Sequence, residues 1–497
     1  MASLKRKALV GVAWTGLAKF SVQGLQFLLT IILARLLVPD DFGVIGMASV
    51  VTTAIAMVNE RGLTAALVQR PDLEERHLSS SFWASLVFGG FLFLAVVVAA
   101  PFVAGFFHKP VVRPVLIVMA LGFIIGAFGL VQKALLTRHL DFRKLALLEI
   151  VSVTSSGVVS VVLAFLGFGV WSLVWGSVLT QLVQTILLWL FVSWKPRLLF
   201  DWQAFKGLLT FGANVLGTNV AVYVNTNVDY VVVGRTLGSE PLGYYTIAFN
   251  MVTLPVYRLA GIVSKVAFPT FSRVQHDLAR FRQGYLEAIH YISMAIFPLL
   301  TGLMIFAPEF VQVVLGPKWM PATVPIQVLS IMALLKSVGT TKGAVLLARG
   351  RADIELKWNL AYLGPFVAAL IVGTHWGLVG VAVAYVVVYT LAFPIIQGIT
   401  NRTISLPWRD FFRALVTPFE ASLGLAAVSL LWKFWIGPVL ATGAVPLLIG
   451  GALLGGSAYV LLLLRLEKGL LQHVRQLVSQ KETPSEETAL SEAEALP

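Results

Sequence analysis

The residues of this chain best suited to chemistry are cations placed where a cation is costly. Lys19, Arg61 and Arg258 each fall inside an apolar stretch, well away from its polar boundaries. A charge near the middle of a membrane helix costs roughly 2.5–3.5 kcal/mol on insertion scales, so such residues usually serve a pathway or a bound ion. Guanidinium and ammonium groups suit phosphate: arginine offers a planar fork for two oxygens, lysine a compact point charge. The clearest case is "AMVNERGLTAALVQR" (56–70), where Asn59, Glu60 and Arg61 interrupt the apolar run well before Arg70. Adjacent helical residues point about 100° apart, so Glu60 does not simply neutralise Arg61.

Weaker candidates lie on polar stripes. Thr15, Lys19, Gln23 and Gln26 follow i, i+4, i+8 and i+11, one face of a helix. Asn214, Thr218, Asn225 and Asp229 repeat that spacing further on. Such stripes should face protein or water rather than lipid. Amides and hydroxyls suit sugar hydroxyls, and the competing role is hydrogen bonding between helices. Lys336 is a lone candidate at mid-depth of its stretch, whereas Lys133, Lys265, Lys342 and Glu149 lie near enough to a boundary to snorkel. The chain has no cysteine, which removes disulfides, thiolate metal sites and cysteine nucleophiles. No catalytic residue, metal ligand set or cofactor site is indicated.

The elements that must position these groups are membrane helices. Of 497 residues, 58% are hydrophobic and only 12% charged, against about 25% charged in a soluble protein. Apolar runs of about 20 residues recur from end to end, each long enough to cross the hydrocarbon core. The expectation is an all-α integral membrane protein with fourteen spans: 9–36, 42–69, 79–107, 112–137, 145–166, 169–193, 207–235, 241–270, 285–307, 323–348, 356–374, 376–400, 411–433 and 441–464. Lys5-Arg6-Lys7 before the first run imitates a signal peptide, but no small-residue cleavage site follows, so it reads as an uncleaved first helix.

The net charge of +13 is distributed unevenly. The N-terminus, the even-numbered loops and the C-terminal tail hold 24 Lys and Arg, with Lys357 and Arg413 at span edges included. The odd-numbered loops hold only Lys109, Arg113, Arg235, Lys318 and Lys433, or six residues with Arg35. The positive-inside rule then places both termini in the cytoplasm. The basic excess is a topology signal, and no nucleic-acid partner is implied.

Two halves are legible. "ARLLVPDDFGVIGMA" (34–48) aligns without a gap on "GRTLGSEPLGYYTIA" (234–248), matching Arg35 to Arg235 and Gly43 to Gly243. "PVLIVMAL…LLTRHLDFRK" (114–144) resembles "PIQVLSIMAL…LLARGRADIELK" (325–357), and "GFGVWSLV" (167–174) has a weaker partner in "HWGLVGVAV" (375–383). This divides the chain into a first lobe over 1–200, a second over 201–405, two further spans over 406–466, and a disordered acidic tail over 467–497. Parallel six-span repeats are typical of alternating-access transporters, which bind substrate between the halves.

The blocks "LARLLVPDDFG", "NERGLTAALVQRPDL" and "LLTRHLDFRKLALLEI" resemble those of bacterial polysaccharide and lipopolysaccharide biosynthesis flippases, in the colanic-acid-exporter branch of the multidrug/oligosaccharidyl-lipid/polysaccharide exporter superfamily. The resemblance covers the whole chain. It implies two six-helix lobes in a V, and a monomer in the bacterial inner membrane among membrane lipids. It also implies an undecaprenyl-pyrophosphate-linked oligosaccharide as substrate and a polysaccharide polymerase machinery as the downstream partner. Cationic side chains on spans one, two and eight of related flippases line the cavity, so the resemblance assigns the pyrophosphate to Lys19, Arg61 and Arg258. Glu60, Gln23, Gln26, Asn214, Asn225, Asp229 and Lys336 remain secondary substrate contacts.

Three other readings compete. A multidrug or cation antiporter would want deep acidic residues, whereas the deep charges here are mostly basic. A peptidoglycan-precursor flippase shares the pyrophosphate logic. A polyprenyl-phosphate-dependent glycosyltransferase would need an outer-loop carboxylate, and Asp40-Asp41 sits there, but Asp40 aligns with Glu240 before a span, as helix-capping residues do.

Overall fold

The computed structural model describes residues 21–70, 72–273, 277–440 and 443–467, and among them it is helical throughout, with no strand. The helices are α1 (Ser21–Leu36), α2 (Pro39–Gln69), α3 (Glu75–Phe106), α4 (Val112–Ala127), α5 (Leu130–Arg138), α6 (Phe142–Phe165), α7 (Val170–Phe191), α8 (Trp202–Thr236) and α9 (Ser239–Arg273). Then come α10 (Leu278–Ile305), α11 (Ala307–Phe310), α12 (Thr323–Gly339), α13 (Lys342–Ala348), α14 (Ala352–Gly373), α15 (Gly377–Thr403), α16 (Trp408–Leu431), α17 (Gly437–Leu440) and α18 (Ala444–Leu466). The described parts of the expected spans fall on these helices or on broken pairs of them, the first only from Ser21 onward. Nine described stretches are long and apolar enough to cross a membrane, or up to ten with the bent pair α4–α5 counted as one. That count takes Asp353–Thr403, which holds both α14 and α15, as one stretch. It does not include α8, which carries Asn214, Thr218, Asn225, Asn227 and Asp229.

Local chemistry sets the helix ends. Pro39 opens α2, where its missing N–H goes unused. The Asp141 carboxylate caps α6 by accepting from Lys144 N, and Asp277 caps α10 by accepting from Ala279 N and Arg280 N. Gly169 and Gly377, at the starts of α7 and α15, both have positive φ (+54° and +65°), as the weak third repeat block would require.

The fourth span of each half is interrupted at matching places, at 128–129 and at 340–341. In the first half the axis turns by 51°. Carbonyls at that bend are taken by side chains of neighbouring helices: Thr185 Oγ1 donates to Ile125 O (3.0 Å), Ser85 Oγ to Ala127 O (3.1 Å) and Trp189 Nε1 to Phe128 O (3.0 Å). A break so fully satisfied is a built feature rather than a defect.

The chain divides into two compact units. The first comprises residues to Met251 with Val311–Leu329 and Arg351–Ala392. The second comprises Val252–Phe310, Ser330–Gly350 and the chain from Phe393 onward. The second unit has a core of Phe271, Phe281, Tyr285, Ile289 and Phe411, where Gln397 Nε2 donates to Tyr285 Oη at 2.9 Å. It also holds a half-buried ion pair, Lys433 Nζ to Glu309 Oε2 at 2.9 Å. The acidic tail expected to be disordered lies, beyond Glu467, outside the described residues.

Candidate functional site

Within the first unit, the starts of α2 and α9 cross at backbone contact. A Cβ on Gly43 would lie 1.7 Å from the Ser239 carbonyl oxygen, and one on Gly243 would lie 1.9 Å from that of Pro39. The same 200-residue offset that aligns the repeats therefore relates two glycines, each pressed on the first residue of the other helix. Only glycine permits that approach.

Charged side chains span the repeat around this crossing. Arg35 donates through Nε to Val314 O (2.9 Å) and through Nη2 to Val313 O. Its repeat partner Arg235 donates to Phe106 O (2.6 Å). Arg35 thus grips carbonyls just past the third span of the second half, and Arg235 a carbonyl at the end of the third span of the first. Lys318 Nζ donates back to Arg35 O (2.8 Å) and Trp319 Nε1 to Ala34 O (2.7 Å). Lys109 Nζ pairs with Asp40 Oδ1 at 2.8 Å, and the same oxygen accepts from Ser239 Oγ. Together these contacts form a clasp.

The two adjacent aspartates take different roles. Asp41 closes the first turn of α2, its Oδ2 accepting from Val38 N at 3.2 Å, whereas Asp40 belongs to the clasp. A cap contributes about 1 kcal/mol, and a pair as exposed as Lys109–Asp40 contributes about 0.2–1 kcal/mol. Asp40→Asn and Asp41→Asn should each keep most of the export seen in a complemented flippase-null strain. Complete loss at normal membrane levels would give a carboxylate a chemical role instead.

Next to the clasp is a cavity of about 330 Å³ walled by α1, α2, α7, α8 and α9. Its polar lining includes Thr30, Ser49, Thr53, Tyr223, Asn227 and Asn250, and no charged side chain is among the described residues that line it. Tyr223 Oη donates to Val50 O at 2.6 Å and Asn227 Nδ2 to Tyr223 O at 2.9 Å, which fixes both side chains against the wall. Thr246 Oγ1 is buried there with no hydrogen-bond partner. Neutral hydroxyls and amides inside an apolar frame suit a polyol rather than an ion. Sequence reasoning missed these residues. The signal was present in the 200-residue offset, which pairs Thr30 with Tyr230 and Val50 with Asn250.

The residues singled out from sequence are distributed differently. Asn225 and Asp229 are buried, and their side chains serve neighbouring helices. Asn225 Nδ2 donates to Asn359 O (2.7 Å) and Oδ1 (3.1 Å), and Asp229 Oδ2 accepts from Tyr245 Oη (2.7 Å). Along α1, Gln23 is half-buried and Gln26 exposed, and neither lines the cavity. In the second unit, Lys336 Nζ lies 4.9 Å from the centroid of the Tyr257 ring, a cation–π contact, and Arg258 is exposed at the next position along α9. Lys19 lies outside the described residues, as do the side chains of Glu60, Arg61 and Asn214 within α2 and α8. Among the described residues no group of three or more His, Asp or Glu could hold a metal ion.

Comparison with known proteins gives this arrangement relatives. Residues 32–325 match the family of polysaccharide biosynthesis proteins. The teichuronic acid biosynthesis protein TuaB of Bacillus subtilis (strain 168) is 30% identical over 433 residues, covering 86% of this chain and 89% of that protein. The lipopolysaccharide biosynthesis protein WzxC of Escherichia coli (strain K12) is 26% identical over 435 residues, covering 86% and 88%. Among solved structures, the lipid II flippase MurJ in an inward closed conformation matches with a TM-score of 0.76 at 15% identity, covering 92% of this chain and 99% of that one. At that identity the likeness is one of fold.

Proposed function

The chain belongs to the polysaccharide biosynthesis protein family, and we propose that it is a flippase for an undecaprenyl-pyrophosphate-linked oligosaccharide repeat unit, working by alternating access. The observation that carries this reading is the hydroxyl- and amide-lined cavity whose polar groups come from α1, α2, α8 and α9, the first two helices of each half. A sugar needs many neutral donors and acceptors, which that wall supplies. A cationic drug would need carboxylates there.

The pyrophosphate needs positive charge, and we assign that role to Lys19, Arg61 and Arg258. Arg61 lies along α2 and Arg258 along α9, both far from the clasp end of those helices, and Lys19 precedes Ser21, the first residue of α1, by two positions in sequence. The sequence spacing, at 1.5 Å per helical residue, is what supports a shared depth of roughly 14–18 Å for the three in this reading. Release of the clasp would open one side, and its formation would leave the other side free to admit substrate. The two lobes over 1–200 and 201–405, with spans thirteen and fourteen outside the repeat, supply the moving parts in this reading.

The chain is a multi-pass membrane protein. We place it in the bacterial inner membrane as a monomer with both termini cytoplasmic, delivering its cargo to the polysaccharide polymerase machinery on the outer side. The loop charge asymmetry supports that orientation. Because the chain has no cysteine, single cysteines report topology cleanly. Pro39→Cys and Lys318→Cys should label from outside, and His77→Cys and Ser485→Cys only from inside. A reversed pattern at two of these sites would overturn the orientation. Function itself is tested by surface polysaccharide in a flippase-null host, which the chain should restore.

A further inference from the structure

The break between α4 and α5 opens a second cavity of about 500 Å³, within the first half and lined by neither the clasp nor the cavity beside it. Lys133 on α5 is the one charged side chain among the described residues that line it, and Gln181 and Gln184 on α7 add two carboxamides. Phe123 and Leu188 provide apolar wall. The carbonyls of Ile125, Ala127 and Phe128 are already satisfied by Thr185, Ser85 and Trp189, so mending the break does not require these lining groups. Gly126 leaves the space in which Gln181 sits, since a Cβ there would lie 2.4 Å from Gln181 Nε2. An exposed lysine and two half-buried carboxamides lining an otherwise apolar cavity form a site for one anion with a greasy neighbour.

We propose that this cavity binds the phosphodiester of an anionic phospholipid, with Lys133 as its counter-charge and Gln181 and Gln184 as hydrogen-bond donors. Charge decides the class. A single ammonium matches the single negative charge of a phosphodiester, whereas a pyrophosphate carries at least two and would stay half-compensated at this site. Position agrees: Lys133 precedes the end of α5 at Arg138 by five residues, about 8 Å along the axis, so its ammonium can snorkel to the headgroups. Phe123 and Leu188 would meet the first carbons of the acyl chains. The first turn of α5, which starts at Leu130 beside the cavity, adds N–H groups that have no partner within the helix. This inference does not depend on the flippase reading, because a lipid held here would occupy a site apart from the transported one.

Native mass spectrometry of the purified full chain, titrated with phosphatidylglycerol and separately with phosphatidylcholine, tests it. The wild type should retain one phosphatidylglycerol with at least tenfold preference. Lys133→Gln should lose that preference about tenfold, and Lys133→Arg should keep it. Gly126→Val, which forces Gln181 out of its seat, should lose it as Lys133→Gln does. Displacement by millimolar glycerol 3-phosphate would keep the phosphate site but assign it to a soluble ester. Equal retention of the two lipids, or wild-type retention by Lys133→Gln, would overturn the proposal.

Discussion

Gly43→Ala and Gly243→Ala should each abolish polysaccharide export while leaving the protein in the membrane at normal levels. The added Cβ would lie 1.7 Å from Ser239 O in one case and 1.9 Å from Pro39 O in the other. Both obstacles are backbone atoms at a helix start, so no rotamer change relieves them. Overpacking of this kind costs typically 1–3 kcal/mol. Here the cost falls on the state in which the clasp is formed, and a bias of about 2.8 kcal/mol shifts a two-state population a hundredfold. A disulfide between Asp40→Cys and Ser239→Cys reports that state directly, since Asp40 Oδ1 accepts from Ser239 Oγ in the clasp. Its yield should fall at least tenfold in either alanine variant. Gly105→Ala and Gly302→Ala serve as controls, because a Cβ at either meets nothing within 4 Å. Normal export from both clasp variants would mean that the crossing plays no part in transport.

Removal of the deep cations should be equally severe. A pyrophosphate carries at least two negative charges and cannot cross about 30 Å of hydrocarbon without compensation. Arg61→Ala and Arg258→Ala should therefore abolish complementation with protein levels unchanged. Lysine at either position should rescue partly, keeping the charge but losing the bidentate fork. Lys342→Ala, near the end of its span, should remain active. Export at wild-type rates from both arginine variants would make those residues structural.

Much of this architecture could be read from sequence, because membrane helices follow from long apolar runs and the repeat follows from spaced identities. The match of Gly43 to Gly243 was visible as a repeat identity, but its steric reason, the crossing of two helix starts, appears only in the fold. The polar stripe of α8 was equally visible, but its burden was not. Asn225 and Asp229 hydrogen-bond to Asn359 and Tyr245, partners that the spacing of the stripe does not reveal. What could not be read depends on partners far apart in the chain. Arg35 finds its carbonyls 278 and 279 residues away, and the bend after Ala127 contains no proline and is held by side chains of α3 and α7. Tyr223, Asn227 and Thr53 escaped notice because hydroxyls and aromatics are ordinary on any membrane helix, and only the fold gathers them around one cavity.

Reconstitution isolates the movement of a lipid-linked sugar from every other step of polysaccharide export. The purified chain would be placed in liposomes carrying a polyprenyl-pyrophosphate-linked oligosaccharide in both leaflets, with a glycosidase added outside. Protein-free liposomes should lose about half of the sugar and then stop. Liposomes with the wild-type chain should continue toward complete digestion, while those with Gly43→Ala or Arg61→Ala should stop where the protein-free ones do. Digestion that halts at half with active wild-type protein would contradict the account.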